Sequence, residues 1–318
     1  MNHLVSRRYN RAVLLLKRVL WRLSVKLLEG DMVINVFQNT LNENPGIKLM
    51  LKYGVLLRVG KIDELKLANE IIALRHQQKH RLEAIWSGKL VELAAFYKDF
   101  NFDSIPQRSN KTAVIVETRP VPYLETVIKN VMSKIGPEWA LHVFYGPSNK
   151  ELIQEIFKNN TTVNFTRLGE AISSKNAYNQ MLKSSDFWQK INEEKILIFQ
   201  TDCLIRKSNI DDFLAFDYIG PPWKFEELNS QNQVGNGGLS LRSKSVMIEL
   251  SSKFQDSTLA EDVFFSKYCK KENYHIAPVK TAARFGAENV LFYQDPFGIH
   301  NPTLLSAKEL ATLLDFEP

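Results

Sequence analysis

Three carboxylates and one imidazole in the second half of this 318-residue chain stand where simple packing explains them least. Asp202 ends the apolar part of ILIFQTDCLI (196–205), a run too short for a typical helix and rich in Ile and Leu, which predicts a strand buried on both faces. In open α/β sheets, ligands bind beyond the carboxyl ends of the strands, so an acid at that end is better placed for function than for stability. Glu261 and Asp262 open LAEDVFFSKYC (259–269), an apolar helix by its spacing; as first-turn acids they also suit the positive end of a helix dipole. His300 stands in PFGIHNP (296–302), which predicts a loop between Gly298 and Pro302.

Two further segments carry unusual residues. DYIGPPWKF (217–225) puts Trp223 after a rigid Pro-Pro turn, and VGNGGLSLRS (234–243) sets Gly235, Gly237 and Gly238 ahead of a strand-like alternation. Each has a plain structural reading too: Trp223 as a core cap, the glycines as a tight turn. His76 and His80 stand at i and i+4, a spacing metal sites use, but no third ligand accompanies them in RHQQKHR and a solvated basic face is the better reading. Cys203 and Cys269 lie far apart, outside any metal-ligand spacing, and suggest a reducing compartment.

The elements that must position these residues alternate. TAVIVET (112–118) reads as a strand, YLETVIKNVMSKI (123–135) as a helix, ALHVFYG (140–146) as a strand and NKELIQEIFKN (149–159) as a helix. A short strand around Val163 to Phe165, a helix from about Lys175 to Lys190 and the strand KILIFQTD follow. Such alternation implies βαβ units and a mostly parallel sheet. No Gly-rich phosphate loop follows any strand; the first ends in Glu117-Thr118-Arg119-Pro120, which argues against a dehydrogenase and a P-loop NTPase. No G-x-S-x-G elbow points to a hydrolase.

Ahead of this part, residues 31–110 read as a helical region. Leu67, Ile71, Leu74, Leu82 and Ile85 form one stripe, Ser87-Gly88 interrupts, Leu90 to Phe100 resumes, and DSIPQRSNK (103–111) is the expected boundary. The hydrophobic content of 44% and charged content of 24% are those of a globular protein. The net charge of +6 is concentrated in the first 28 residues, where Arg7, Arg8, Arg11, Lys17, Arg18, Arg22 and Lys26 meet no acid. Setting those seven aside leaves 34 of the 41 Lys and Arg against 35 Asp and Glu, so the body carries no signature of nucleic-acid binding. Residues 1–30 are too interrupted by charge for a membrane span and lack the cleavage pattern of a secretory signal. They fit a basic amphipathic helix, either on an anionic membrane surface through Leu16, Leu20, Trp21 and Leu27 or packed on the body.

The order of the motifs is more specific than any one of them. An acid ending a central strand, a Gly-Gly strand, an acid pair opening a helix and a late histidine resemble the GT-A class of nucleotide-sugar glycosyltransferases. More closely, ILIFQTD, DYIGPPW, GNGGLSLRS, EDVFFS and PFGIH resemble a bacterial and fungal family known mainly as a domain of unknown function related to those enzymes. The resemblance implies a GT-A-like Rossmannoid α/β domain over 111–318, a mixed, mostly parallel sheet flanked by helices. It implies transfer of a sugar from a nucleoside-diphosphate donor to a hydroxyl of a glycan or glycolipid in surface polysaccharide synthesis, in the cytoplasm or peripheral on the inner face of the membrane.

By the same resemblance, Asp202 matches the last acid of the Asp-x-Asp motif and His300 the late metal-binding histidine, for Mn²⁺ or Mg²⁺. The first acid is absent, since Gln200 precedes Thr201 and Asp202. Asp262, with Glu261 sharing the work or holding the acceptor, falls where the general base of an inverting enzyme lies. Glu117, Thr118, Arg119, Lys175, Asn179, Thr201, Gly237 and Gly238 are expected around the donor, and Trp223 against the acceptor sugar. The alternatives are a nucleotidyltransferase, for which VETRPVPY lacks the usual Gly-rich basic loop, and a decayed nucleotide-sugar-binding scaffold.

Overall fold

The computed structural model describes residues 64–169, 172, 174–223, 234–288, 295–302, 305 and 307–318, with backbone alone for 64–78. The basic segment 1–30 and the stretch 31–63 lie outside the described residues, as do the side chains of Leu67, Ile71, Leu74 and His76.

Chain patterning explains the central sheet. Strands β1 (Lys111–Glu117), β2 (Ala140–Tyr145), β3 (Asn164–Arg167) and β4 (Lys195–Phe199) run parallel in the order β3-β2-β1-β4. Strand β7 (Leu239–Ser243), antiparallel to β4, and β6 (Tyr218–Ile219), antiparallel to β7, extend it beyond β4. Alternate residues of a strand point to opposite faces, and here both faces are dry. Ala113, Ile115, Leu197 and Phe199 join one hydrophobic cluster, while Val114, Val116, Ile196 and Ile198 join another. A second, small sheet has the order β5-β9-β8, from Cys203–Ile205, Gly298–His300 and Gly286–Ala287.

The helix after β1, α2 (Leu124–Ile135), which follows α1 (Glu64–Phe96) in the chain, shows how the small sheet is anchored. Leu124, Val127, Ile128, Val131, Met132 and Ile135 are buried at helical spacing, and Gly136, at φ 102°, ends the helix in a backbone conformation that favours glycine. The buried Asn130 interrupts that apolar face for a reason. Its Nδ2 donates to the Ile205 carbonyl (3.1 Å) and its Oδ1 accepts from the Ile205 N–H (2.8 Å), which satisfies both its own polar atoms and the end of β5.

The expected interruption at Ser87-Gly88 is absent: α1 (Glu64–Phe96) is one continuous helix. A mid-helix glycine costs about 1 kcal/mol relative to alanine, and the burial of Leu82, Leu90 and Leu93 on either side offsets it. Those leucines share a cluster with Ile115, Val143 and Leu197, so α1 packs into the core of the sheet domain, against α2 and the last helix. After α3 (Lys150–Ile156), the helix expected over 175–190 is divided in two, α4 (Lys175–Leu182) and α5 (Ser185–Gln189). Ser184 caps the second by accepting from the Asp186 N–H, which marks the break.

Candidate functional site

In this strand order the connection reverses direction between β1 and β4, and a crevice at such a switch point is where open α/β sheets bind ligands. The ends of these two strands supply 117–119 on one side and 200–202 on the other. Glu117 is buried, and its carboxylate accepts from the Arg119 N–H (2.9 Å), Nε (2.9 Å) and Nη2 (2.7 Å). The Arg119 side chain is 71% exposed, so the buried acid holds a guanidinium outward into the crevice. Thr118 and Thr201 are buried, and Thr118 Oγ1 accepts from the Ile172 N–H (3.2 Å). Tyr123, the partly exposed residue preceding α2, lies near the same charges: burial raises its phenol pKa, and Asp202 adds to that. Nothing in its local pattern singled it out.

His300 is not in a loop. It is the last residue of β9 and is buried, with Cys203 of β5 opposite it in an antiparallel pair. The histidine sits on a strand because that strand closes a small sheet over β5, which no local turn signal near Pro302 foretells. His300 Nε2 stands 3.6 Å from Asp202 Oδ1 and 3.3 Å from Gln200 Oε1, while Nδ1 faces Glu288 Oε1 at 3.7 Å. Burial lowers the imidazole pKa, against the pull of Asp202 and Asp262, so the ring is neutral near pH 7. Gln200, in place of the expected acid, also hydrogen-bonds Tyr178 and so ties α4 to this centre.

Asp202, Cys203 and His300 bring a carboxylate oxygen, a thiol and a ring nitrogen within 4.8 Å of one another. The thiol is the poor member of the set. Cys203 is fully buried, burial pushes its pKa well up, and Sγ already donates to the Gly238 carbonyl and accepts from the Gln200 N–H, both at 3.3 Å. A neutral imidazole nitrogen and a half-exposed carboxylate 3.6 Å apart fit two ligands, each about 2.0–2.2 Å from one divalent cation.

Strand β7 brings the glycines to the same place, because Leu239 is opposite Phe199 and β7 therefore begins where β4 ends. A Cβ on Gly238 would lie 2.1 Å from His300 Nε2, and one on Gly237 would lie 2.0 Å from Glu261 Oε1. Beyond α6 (Lys244–Lys253), helix α7 (Glu261–Lys271) starts against this turn. Asp262 Oδ1 accepts from the Val263 N–H (2.8 Å) and Oδ2 from the Gly237 N–H (3.4 Å).

Glu261 does not share Asp262's situation. It is buried, and Arg242 Nη1 and Nη2 reach its Oε2 (2.7 Å) and Oε1 (3.1 Å). Burial pushes the carboxyl pKa up and Arg242 opposes that, whereas Arg242's own pKa is raised by Glu261 against burial. These directions favour opposite states of the pair; the two-pronged contact decides for the ionised one. Both Glu261 oxygens are thus held by the Arg242 side chain, whereas the Asp262 oxygens accept from backbone N–H groups. Trp223 is also buried, only 6% exposed. Asn179 Oδ1 accepts from the Glu261 N–H (3.3 Å) and thus caps α7, while the exposed Lys175 contributes its charge to Glu261 and His300. Sequence patterns missed Arg242, Tyr178 and Glu288, which reach the centre only through long-range contacts.

Residues 162–300 match the model of a family described as a protein of unknown function, DUF5672. No curated protein matches the chain. Among solved structures, the chain is similar to the mannosyltransferase PcManGT from Pyrobaculum calidifontis in complex with GDP-Man and Mn²⁺, at 14% identity and a TM-score of 0.39 over 64% of this chain and 65% of that one. It is similar to the apo form of the glycosyltransferase GlyE of Streptococcus pneumoniae at 12% identity and 0.41, over 65% and 60%. The chain thus spans less than two thirds of the length of those two proteins. A galactosyltransferase, LgtC, in complex with donor and acceptor sugar analogs, follows at 13% and 0.42, over 65% and 97%. By its own strand order, with antiparallel β7 beside β4 and a small second sheet, the described part is a mixed, mostly parallel, GT-A-like α/β domain.

Proposed function

We propose that the chain is a glycosyltransferase that moves a sugar from a nucleoside-diphosphate donor to an acceptor hydroxyl. The observation that carries the reading is the convergence of Asp202, His300 and Asp262 on the Gly237–Gly238 turn at the carboxyl end of β4. Asp202 and His300 would hold a divalent cation, Mn²⁺ or Mg²⁺. When bound, it supplies positive charge to the departing diphosphate. Arg119, held outward by Glu117, adds a fixed cation on the opposite wall of the crevice.

Asp262 serves as the general base. The acceptor oxygen forms a bond to the anomeric carbon, its proton passes to Asp262, and the carbon–oxygen bond to phosphate breaks, with the electron pair leaving on the nucleoside diphosphate. Direct displacement of this kind inverts the anomeric centre; retention in the product would overturn that step. The two glycines let the backbone approach the donor closely, while Thr118, Thr201, Lys175 and Asn179 support the walls. A glycan or glycolipid acceptor, with residues 1–28 against an anionic membrane from the cytoplasmic side, suits the basic leading segment. Among the described residues no helix is long and apolar enough to cross a membrane.

The test is a thermal-shift screen of the full chain with UDP, GDP and their sugars, each with and without Mn²⁺, followed by a search for released nucleoside diphosphate. A ligand that binds only the folded state raises its melting temperature. A cation-dependent shift with turnover supports the reading. A shift without turnover under any metal condition favours a binding scaffold, a reading encouraged by Gln200 at the first acid's place. Release of pyrophosphate from UTP or GTP in the presence of a sugar 1-phosphate, with no nucleoside diphosphate released from the nucleotide sugars, would indicate a nucleotidyltransferase.

A further inference from the structure

Arg242, on β7, has no part in the chemistry just described, yet its guanidinium makes four hydrogen bonds beside the crevice. It is fully buried, 5.0 to 5.4 Å from the ring centroids of Tyr218, Trp188 and Phe265. Besides its two bonds to Glu261, Nη2 donates to the Gly237 carbonyl (3.3 Å) and Nε to Ser240 Oγ (2.8 Å). Ser240 Oγ donates to that same carbonyl (2.9 Å).

Packing alone does not account for this arrangement, because apolar side chains of similar volume often fill such a site with equal or better stability. The pair's distinctive effect is geometric. It joins β7, the glycine turn and the first residue of α7, and the next residue of α7 is Asp262. The fit is tight: a Cβ on Gly237 would stand 2.0 Å from Glu261 Oε1 and 3.0 Å from Asp262 Cβ.

We propose that Arg242, acting through Glu261, is a positioning residue that fixes Asp262 against the Gly237–Gly238 turn. The inference rests on the reading of Asp262 as the base. A rigid guanidinium fork locks both the distance and the angle between turn and helix, which a single-point contact cannot do.

The test compares the full chain with the double variant Arg242→Met, Glu261→Leu, which removes both charges together and avoids leaving one buried alone. Arg242→Lys, which keeps the charge and loses the fork, is the second variant should the double one not fold. Two quantities are read: hydrogen exchange over residues 234–240 and 261–266, and hydrolysis of UDP-glucose, UDP-galactose and GDP-mannose with Mn²⁺. Exchange in these segments is expected to quicken, and kcat to fall by about 10- to 100-fold with KM within about twofold, as a misplaced catalytic group requires. Unchanged exchange overturns the proposal whatever the turnover, and so does quickened exchange with unchanged kcat. Should the unaltered protein hydrolyse none of the three sugars, the exchange result alone decides whether the pair fixes the turn, and the glycosyl-transfer reading loses its support separately.

Discussion

His300 Nε2 lies 3.6 Å from Asp202 Oδ1 because β9 pairs antiparallel with β5, which puts His300 across from Cys203, the residue after Asp202. Asn130 of α2 grips both backbone atoms of Ile205 and so anchors this ladder to the core. The pair is therefore held by a small sheet and a buried amide, just beyond the end of β4 at Phe199. Replacing Asp202 or His300 with alanine is expected to abolish any Mn²⁺-dependent thermal shift while leaving metal-free stability within about 1 kcal/mol for the half-exposed Asp202. A persistent Mn²⁺ shift in both variants would place the cation elsewhere.

Asp262→Asn keeps the size but has one acceptor oxygen for the two N–H groups, of Gly237 and Val263, that the carboxylate serves, and it cannot take a proton at neutral pH. Turnover is expected to fall by about 10²–10⁴-fold with donor affinity unchanged, read as kcat against a directly measured Kd. Equal activity in the variant would remove Asp262 as the base.

Gly238→Ala tests the close approach of the turn to the histidine. The new Cβ would meet His300 Nε2 at 2.1 Å, and the buried ring has little room to retreat. A loss of about 1–3 kcal/mol in denaturant unfolding is expected, together with loss of the Mn²⁺ shift. Stability and shift both unchanged would mean that turn and ring are not in contact.

His142 gives a stability dependence on pH remote from the crevice. On β2 it is buried, stacked on Phe144 at 4.4 Å, with Nε2 2.8 Å from Thr166 Oγ1, and burial lowers its pKa to about 4. The unfolded chain holds its imidazole near 6.5, so between those values the unfolded state binds more protons. This contribution is fully present above about pH 6.5 and is lost as pH falls toward 4, by about 3 kcal/mol in total. His142→Gln should flatten the fall in that window; an identical pH profile in the variant would contradict it.

The place of α1 in the main core predicts that Leu93→Ala, at a fully buried position, costs about 2–5 kcal/mol in a single cooperative transition. A separate early transition, with the sheet domain unaffected, would show that α1 is an independent layer.

Much of the architecture was legible locally. TAVIVET and KILIF declare two-sided burial by lacking any polar alternation, and the apolar spacing of α2 fixes its buried face. The acids at 202, 261 and 262 and the glycines at 237 and 238 were legible as types in an order, which is why the motifs pointed to the crevice. Ser87-Gly88 misled because a local breaker signal of about 1 kcal/mol is small beside the burial of leucines contributed by distant elements.

The sequence by itself determined the periodicities, the strand ends and the order of reactive residues, since these depend on neighbours within a few positions. The tertiary structure alone decided that His300 closes a sheet over Asp202, that Glu261 is held by Arg242 while Asp262 stays free of it, and that Trp223 is covered. Those outcomes depend on strand pairing and on the desolvation of charges among groups far apart in the chain, and desolvation exists only once the core has closed around them.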